Sequence, residues 1–549
     1  MKVRIARRAG FCMGVRRAMR LALKAAETSS KPVYTYGPLI HNPQVLALLE
    51  RIGVRDLHRS GKAADGVVII RAHGIPPQEK EALLASGLEV IDGTCPRVAK
   101  VQALARKYSR EGYRVIIIGD RDHAEVRGIL GYTGGQGLVV SNLRDLDQLP
   151  PLEKYVILSQ TTQDEEVFEM LSREILSRFP GGKVINTICH ATHVRQESVR
   201  ELARSCEAII VVGGRGSANT NRLAQIAREE GCEALLVETP EEIPLEEISR
   251  FRTVGVSAGA STPNWIINGV VERLAEHRNP LRKWLRIGLY LHLPLALSAA
   301  LLLAGTGLWF KGEVHPPGLL LAFLMVFFAH TWNSLVAREI LALCHPYKAA
   351  LYRRHEKILV PVLLLSFTLS LGLAYFQGPA VLVFTALAGG GSALYSLTSL
   401  RRLFPGNRPL FVAFFWTLLI LAVASLPPLR SLKAGALVYF LVFYQIFYQD
   451  ILDLLEDGFL GRESLAAFLE EKRALRLLGL LPAGGLILNV VLLLGGDFSY
   501  LFLLPLWAYL WFLARYLGKK PLGRRLILEY LSLTPSLVYL LLGFVARGF

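Results

Sequence analysis

The pattern of apolar and polar positions divides this 549-residue chain into two regimes. Between Lys2 and about Gly259, short β-branched runs (VVIIRA, LEVIDG, RVIIIGD, KYVILSQ, KVINTI, AIIVVGG and TVGVSAG) alternate with amphipathic stretches. Apolar runs of strand length separated by helical segments predict α/β architecture with mainly parallel sheets. The strand-to-helix transition recurs over more chain than one doubly wound sheet needs, so two or three similar lobes are expected. From Ile287 onward the apolar runs approach the ~20 residues that span a bilayer as a helix. About nine begin near Ile287, Pro317, Ile358, Pro379, Pro409, Ala434, Leu475, Tyr500 and Leu526. Two domains are expected: residues 1–279, α/β, and residues 280–549, an all-α membrane domain of about nine transmembrane helices.

Charge sharpens this division. The formal net charge is +17, which by itself would suit a nucleic-acid binder. Much of the excess flanks the apolar runs, however, where Lys and Arg mark the cytosolic ends of spans. With the first domain inside, the inner loops carry Arg353, Arg354, Lys357, Arg401, Arg402, Lys472, Arg473, Lys519, Lys520, Arg524 and Arg525, while KGEVHPPG, FQGP, PPLRSLK and GGDFS on the other side are poorer in Lys and Arg. A multi-pass protein of the inner, cytoplasmic membrane is expected, with the first domain on the cytosolic side, a lipid bilayer as partner and no nucleic acid. The opening MKVRIARRAGFCMG lacks the apolar core and small-residue cleavage pattern of a secretory signal.

Six cysteines in a reducing compartment argue against a disulfide framework and leave ligation, catalysis or burial as their uses. Cys95 and Cys189 share a context: LEVIDGTC and KVINTIC each end a strand, and PRVAKVQALARKY and HATHVRQESVRELA each begin a helix. Cys12, in RIARRAGFCMGVRRAMRLALKAA, repeats it. A helix start offers unpaired N–H groups and the positive end of the dipole, which favour thiolate. No CxxC pair exists, so a zinc ribbon is excluded in favour of either plain burial or a site where three lobes meet. Cys206, Cys232 and Cys344 lack the context and are expected to be packing residues.

AGFCMGVRRA, GPLIHNPQV, RAHGI, DGTCP, DHAEVRG, SQTT, NTICHATHVRQE, GSANTNRL and SAGASTP follow one another as in the 4-hydroxy-3-methylbut-2-enyl diphosphate reductase (IspH/LytB) family, which residues 1–275 resemble. The resemblance implies three similar α/β lobes around a [4Fe–4S] cluster bound by Cys12, Cys95 and Cys189. Clusters usually take four cysteines, so three leave one iron open to the hydroxyl of a small allylic diphosphate. It further implies two-electron loss of that hydroxyl as water, yielding isopentenyl or dimethylallyl diphosphate, with ferredoxin or flavodoxin as electron donor. His41, His73 and His123 match histidines that contact the substrate, chiefly its diphosphate. Ser217, Asn219 and Ser261 match further hydrogen-bonding groups, Glu125 a proton-delivering carboxylate, and Thr161 a hydroxyl that orients the substrate alcohol and relays protons. Ala218 stands where the family commonly has a second serine, which implies altered affinity with the chemistry retained.

In the membrane half, YQDILDLLEDGFLGRESLAAFLEEKRA places Asp450, Asp453 and Asp457 at i, i+3 and i+7. On a helix they share one face, where Mg²⁺ bridging to a diphosphate would relieve their repulsion; a solvated acidic loop end is the plainer alternative. The segment resembles the second aspartate-rich motif of UbiA-type membrane prenyltransferases, and LYSLTSLRRL resembles a cytosolic loop of that family. In NSLVAREILAL, Asn333, Arg338 and Glu339 follow its first motif, but Ala337 and Leu341 replace the two metal-binding aspartates. Two readings follow: a membrane module that tethers the reductase or binds an isoprenoid, or a second enzyme that transfers a prenyl group with one metal ion or with Arg338, His345 and Lys348 covering phosphate charge.

Overall fold

A computed structural model of the chain describes residues 1–60, 65–342, 345–397, 408–456, 465–495, 497–518 and 525–548. The chain divides into two compact units, Met1–Arg278 and Asn279–Phe549.

Twelve strands form the first unit's sheets: β1 (Lys2–Ile5), β2 (Val33–Tyr36), β3 (Val54–Asp56), β4 (Val67–Ile70), β5 (Glu89–Asp92), β6 (Arg114–Ile118), β7 (Leu138–Val140), β8 (Tyr155–Ser159), β9 (Lys183–Val184), β10 (Ala208–Val212), β11 (Glu233–Val237) and β12 (Thr253–Ala258). They make three four-stranded sheets, ordered β1-β12-β10-β11, β3-β2-β4-β5 and β7-β6-β8-β9. Every pairing is parallel. The two-or-three-lobe expectation therefore resolves to three, with the chain's first strand completing the last lobe. Helices cover both faces of the sheets, so the middle strands β4, β8 and β10 are buried along their whole length, as parallel sheets require.

KVINTI departs from its expected strand, because only Lys183 and Val184 pair as β9. Ile185 N still donates to Ile157 O, but then a side chain takes over the ladder. Thr187 Oγ1 accepts from Ser159 N at 2.7 Å and donates to Ser159 O at 2.6 Å. The backbone peels away there and carries Cys189 to the start of the next helix.

The second unit is all-helical. Among its described residues, seven helices are long and apolar enough to cross a membrane: Leu293–Phe310, Pro316–Val336, Pro346–Gln377, Pro428–Leu452, Lys472–Leu493, Phe498–Leu517 and Leu526–Arg547. Two shorter apolar helices, Pro379–Leu394 and Pro409–Ala424, bring the described set near the nine expected. The first does not begin at Ile287, which lies on a separate helix, Leu281–Tyr290. The chain breaks at His292, whose φ of 57° is left-handed. Carbonyls released at a break need other donors inside an apolar bundle. Tyr352 Oη donates to Tyr290 O at 2.6 Å, and Thr331 Oγ1 to Leu291 O at 2.9 Å.

The first unit's core rests on fully buried residues such as Ile157, which packs with Ile116, Phe168 and Leu171. Ile157→Ala should destabilise this unit by about 2–5 kcal/mol, the usual effect of an unfilled core cavity. Calorimetry on the full chain in detergent should show a lower midpoint for one transition only.

Candidate active site

Parallel sheets present their loops at the carboxyl ends of the strands, where ligands bind. The three lobes use the same three strand positions. The edge strands β1, β5 and β9 lead to Cys12, Cys95 and Cys189, each at the N-cap of a helix: Met13–Thr28, Pro96–Arg110 and His190–Ala203. Their neighbours β12, β4 and β8 lead to Ser261, His73 and Thr161, and the third strands β10, β2 and β6 lead to Ser217 and Asn219, His41, and His123 and Glu125. All of these line one cavity, together with Arg97, Arg195 and Ala218.

A backbone bond holds each cysteine to the loop beyond its neighbouring strand. Cys12 N donates to Ala260 O at 3.1 Å, Cys95 N to Ala72 O at 3.0 Å and Cys189 N to Thr161 O at 2.9 Å. The three thiols are free. Gly14 keeps the space between two of them open: a Cβ there would sit 2.5 Å from Cys95 Sγ and 3.9 Å from Cys12 Sγ. None of the three cysteine-capped helices has an acidic residue in its first turn. The expected lowering of the thiol pKa does not hold at Cys95. Burial pushes that thiol up and outweighs the N–H groups of Arg97 and Val98, while Cys12 and Cys189 beside it push it further. The Cys95 thiol, buried beside two others, resists ionisation, and a cation among the three would reverse this.

On the second side stand the histidines. The rings of His41 and His73 are 4.6 Å apart between centroids, those of His73 and His123 5.4 Å, and those of His41 and His123 5.7 Å. One nitrogen from each lies within 4.8 Å of the others, close enough for a shared ligand. Burial lowers all three pKa values, that of His123 to about 4, with Arg71 adding to the effect on each and Arg127 on His123. The imidazoles are therefore neutral near pH 7. His123 Nδ1 accepts from Glu125 N at 3.2 Å, which leaves the proton on Nε2. His41 Nε2 and His73 Nδ1 are buried and unpartnered. Two guanidinium groups beside three N–H-bearing rings repel a cation and suit an anion with several oxygens.

Glu125 is 1% exposed. Burial raises its pKa to about 7, against the opposing bonds from Thr161. Thr161 N donates to Oε1 at 2.6 Å, and Thr161 Oγ1 lies 2.9 Å from Oε2. With the carboxyl protonated, Oε2–H donates to Oγ1 and frees the threonine proton for the cavity. Ser261 Oγ donates to His41 O at 3.0 Å and joins two lobes. Ser217 Oγ caps its helix by accepting from Thr220 N, and Asn219 Nδ2 is buried without a partner.

Sequence reasoning missed Arg71, Arg127, Gly14 and Arg195. Arg195 lies within NTICHATHVRQE, six residues after Cys189, but a helical arginine ordinarily faces solvent. Here it is 5% exposed, and its Nη1 donates to Ala258 O at 3.0 Å. Burial lowers its pKa, and the charges of Cys12 and Cys189 oppose that shift.

In the second unit, Asp450 is 3% exposed on the helix Pro428–Glu456, which removes the solvated-loop alternative for that residue. Asp453 follows on the same helix; its side chain, like Asp457, Cys344 and most of LYSLTSLRRL, lies outside the described residues. Arg338 pairs with Glu356 at 3.1 Å, and Lys348 Nζ lies 3.2 Å from His292 Nε2.

Three parallel α/β lobes closing on three free thiols define the class. Residues 3–275 match the family model described as LytB protein. The 4-hydroxy-3-methylbut-2-enyl diphosphate reductase of Aquifex aeolicus (strain VF5) is 45% identical over 275 residues, half of this chain and 95% of that protein. The chain belongs to the LytB family. A solved (E)-4-hydroxy-3-methyl-but-2-enyl diphosphate reductase shares 45% identity, covers 50% of this chain and 100% of its own, and superposes with a TM-score of 0.41. A UbiA homolog from Archaeoglobus fulgidus, solved with GPP and Mg²⁺, shares 20% identity over 47% of this chain and 99% of its own, with a TM-score of 0.38.

Because Glu125 is neutral below its pKa and ionised above it, the infrared band of a protonated carboxylic acid should fade as the pH rises through about 7. Glu125→Gln should lack that titration.

Proposed function

We propose that residues 1–279 catalyse reductive dehydroxylation of 4-hydroxy-3-methylbut-2-enyl diphosphate to isopentenyl and dimethylallyl diphosphate, the last step of the methylerythritol phosphate route. One observation carries this reading: a single cavity joins three thiols, a cluster of three histidines and a buried carboxyl bonded to a hydroxyl. The residues fit a [4Fe–4S] cluster held by Cys12, Cys95 and Cys189, given the gap at Gly14, the acid-free helix starts and the buried Arg195. Such a cluster would supply electrons and one iron open to the substrate's hydroxyl.

The chain's own groups do the rest. His41, His73 and His123 donate N–H groups to the diphosphate, with Arg71 and Arg127 setting a positive field around them. Asn219 Nδ2, buried without a partner, donates to the same anion, and Ser217 and Ser261 border it. Thr161 Oγ1 holds the substrate alcohol and passes on the Glu125 proton, so the leaving group departs as water. The reaction consumes two electrons and two protons, with an iron–sulfur or flavin carrier protein of the ferredoxin or flavodoxin kind as donor. Anaerobic reconstitution should give the full chain bound iron and sulfide with a broad visible absorption, and Cys95→Ser should lose both along with dehydroxylation. A complete, active centre in that variant would overturn the assignment.

Residues 280–549 tether the reductase to the cytosolic face of the inner membrane. The buried Asp450 favours a second reading, in which this unit binds Mg²⁺ through Asp450, Asp453 and Asp457 and transfers a prenyl group. Ala337 and Leu341 weigh against it, since neither can ligate a dication. Membranes bearing the full chain, given labelled prenyl diphosphates, Mg²⁺ and candidate acceptors, should release no Mg²⁺-dependent pyrophosphate. Release abolished by Asp450→Ala would establish the transferase.

A further inference from the structure

The first 31 residues hold nine Lys and Arg and one acid, Glu27, whereas residues 201–250 hold five basic and ten acidic residues. The basic segment is the one that carries Cys12. On the helix after Cys12, Arg16, Arg17 and Arg20 are exposed, as is Arg8 before it. Arg97 and Lys100 are exposed on the first turns of the helix after Cys95. Arg17 ties the two helix starts together, donating to Thr94 O at 3.1 Å and Asp92 O at 3.0 Å. Met13, adjacent to Cys12, is 61% exposed. Cys12 and Cys95 are themselves only partly buried.

We propose that this face, which exposes Met13 together with Arg8, Arg16, Arg20, Arg97 and Lys100, docks an acidic single-electron carrier protein. The proposal rests on the reductase reading. An exposed apolar side chain on a face of like charge suits a transient, electrostatically steered interface. Its position suits the chemistry, because electron transfer falls steeply with distance and the two helix starts on this face carry Cys12 and Cys95, two of the three partly buried cysteines. Two reduced carriers dock in turn, and each is oxidised by one electron. The substrate's C–O bond takes up both electrons and two protons and releases water. The positive field serves encounter rate, so binding weakens as salt screens it.

The test uses the full chain, reconstituted in neutral-lipid nanodiscs, and a redox-inert gallium-substituted plant-type ferredoxin whose affinity is read by titration. Wild type should bind more weakly as salt rises, and Arg16→Glu/Arg20→Glu should weaken binding by about tenfold or more, a loss typical of reversed interface charges. Reduction by the small carrier methyl viologen should be unchanged in that variant. Affinity indifferent to salt and to the charge reversal would overturn the docking face. An effect of the reversal seen only in anionic-lipid nanodiscs would overturn it too and assign the face to the bilayer. Failure of dehydroxylation with methyl viologen in wild type would instead overturn the reductase reading.

Discussion

Three backbone hydrogen bonds organise the first unit: Cys12 N to Ala260 O, Cys95 N to Ala72 O and Cys189 N to Thr161 O. Each ties the end of an edge strand to the loop beyond its neighbour, so a thiol and a polar group from adjacent strands enter the cavity together. Parallel pairing makes this possible, because it puts both strand ends on the same side of the sheet. Threefold repetition then delivers three thiols on one side and histidine, serine and threonine on the other.

Desolvation sets the protonation of everything gathered there. It disfavours the charged form of every group, which raises Glu125 and lowers the histidines. One cause thus yields a carboxyl able to give a proton and imidazoles able to donate a hydrogen bond while remaining neutral. Arg71 and Arg127 push the histidines the same way but leave the cavity attractive to an anion. A carboxylate ionised at this depth would oppose that attraction, so the neutrality of Glu125 and the anion preference of the cradle reinforce each other.

The sheet class was legible because VVII, VIL within YVILS, and AIIVV are unbroken apolar runs, as strands covered on both faces show. The cysteines, histidines, Glu125 and Thr161 were legible through motif order. KVINTI misled because its apolar pattern does not reveal that the Thr187 hydroxyl displaces the ladder. Ile287 misled for a related reason. The run through His292 looks continuous in hydropathy, yet Tyr352 and Thr331, distant in sequence, supply the donors that let it break. Arg195 and Arg71 stayed hidden because burial of a guanidinium depends on which carbonyls and charges surround it in the fold.

Positive charge around the thiols has three separate sources with different reach. The acid-free helix starts act within one turn, Arg195 acts from within the protein where screening is weak, and the arginines of the Met13–Thr28 helix act outward through solvent. A thiolate set needs the first two to be stable, since Cys95 by itself is held protonated by burial. It does not need the third. Exposed arginines contribute little to a buried charge once water and salt intervene, so stabilising the thiolates does not account for their accumulation on the Cys12 helix. What remains for such a face is a partner that arrives from solution with the opposite charge.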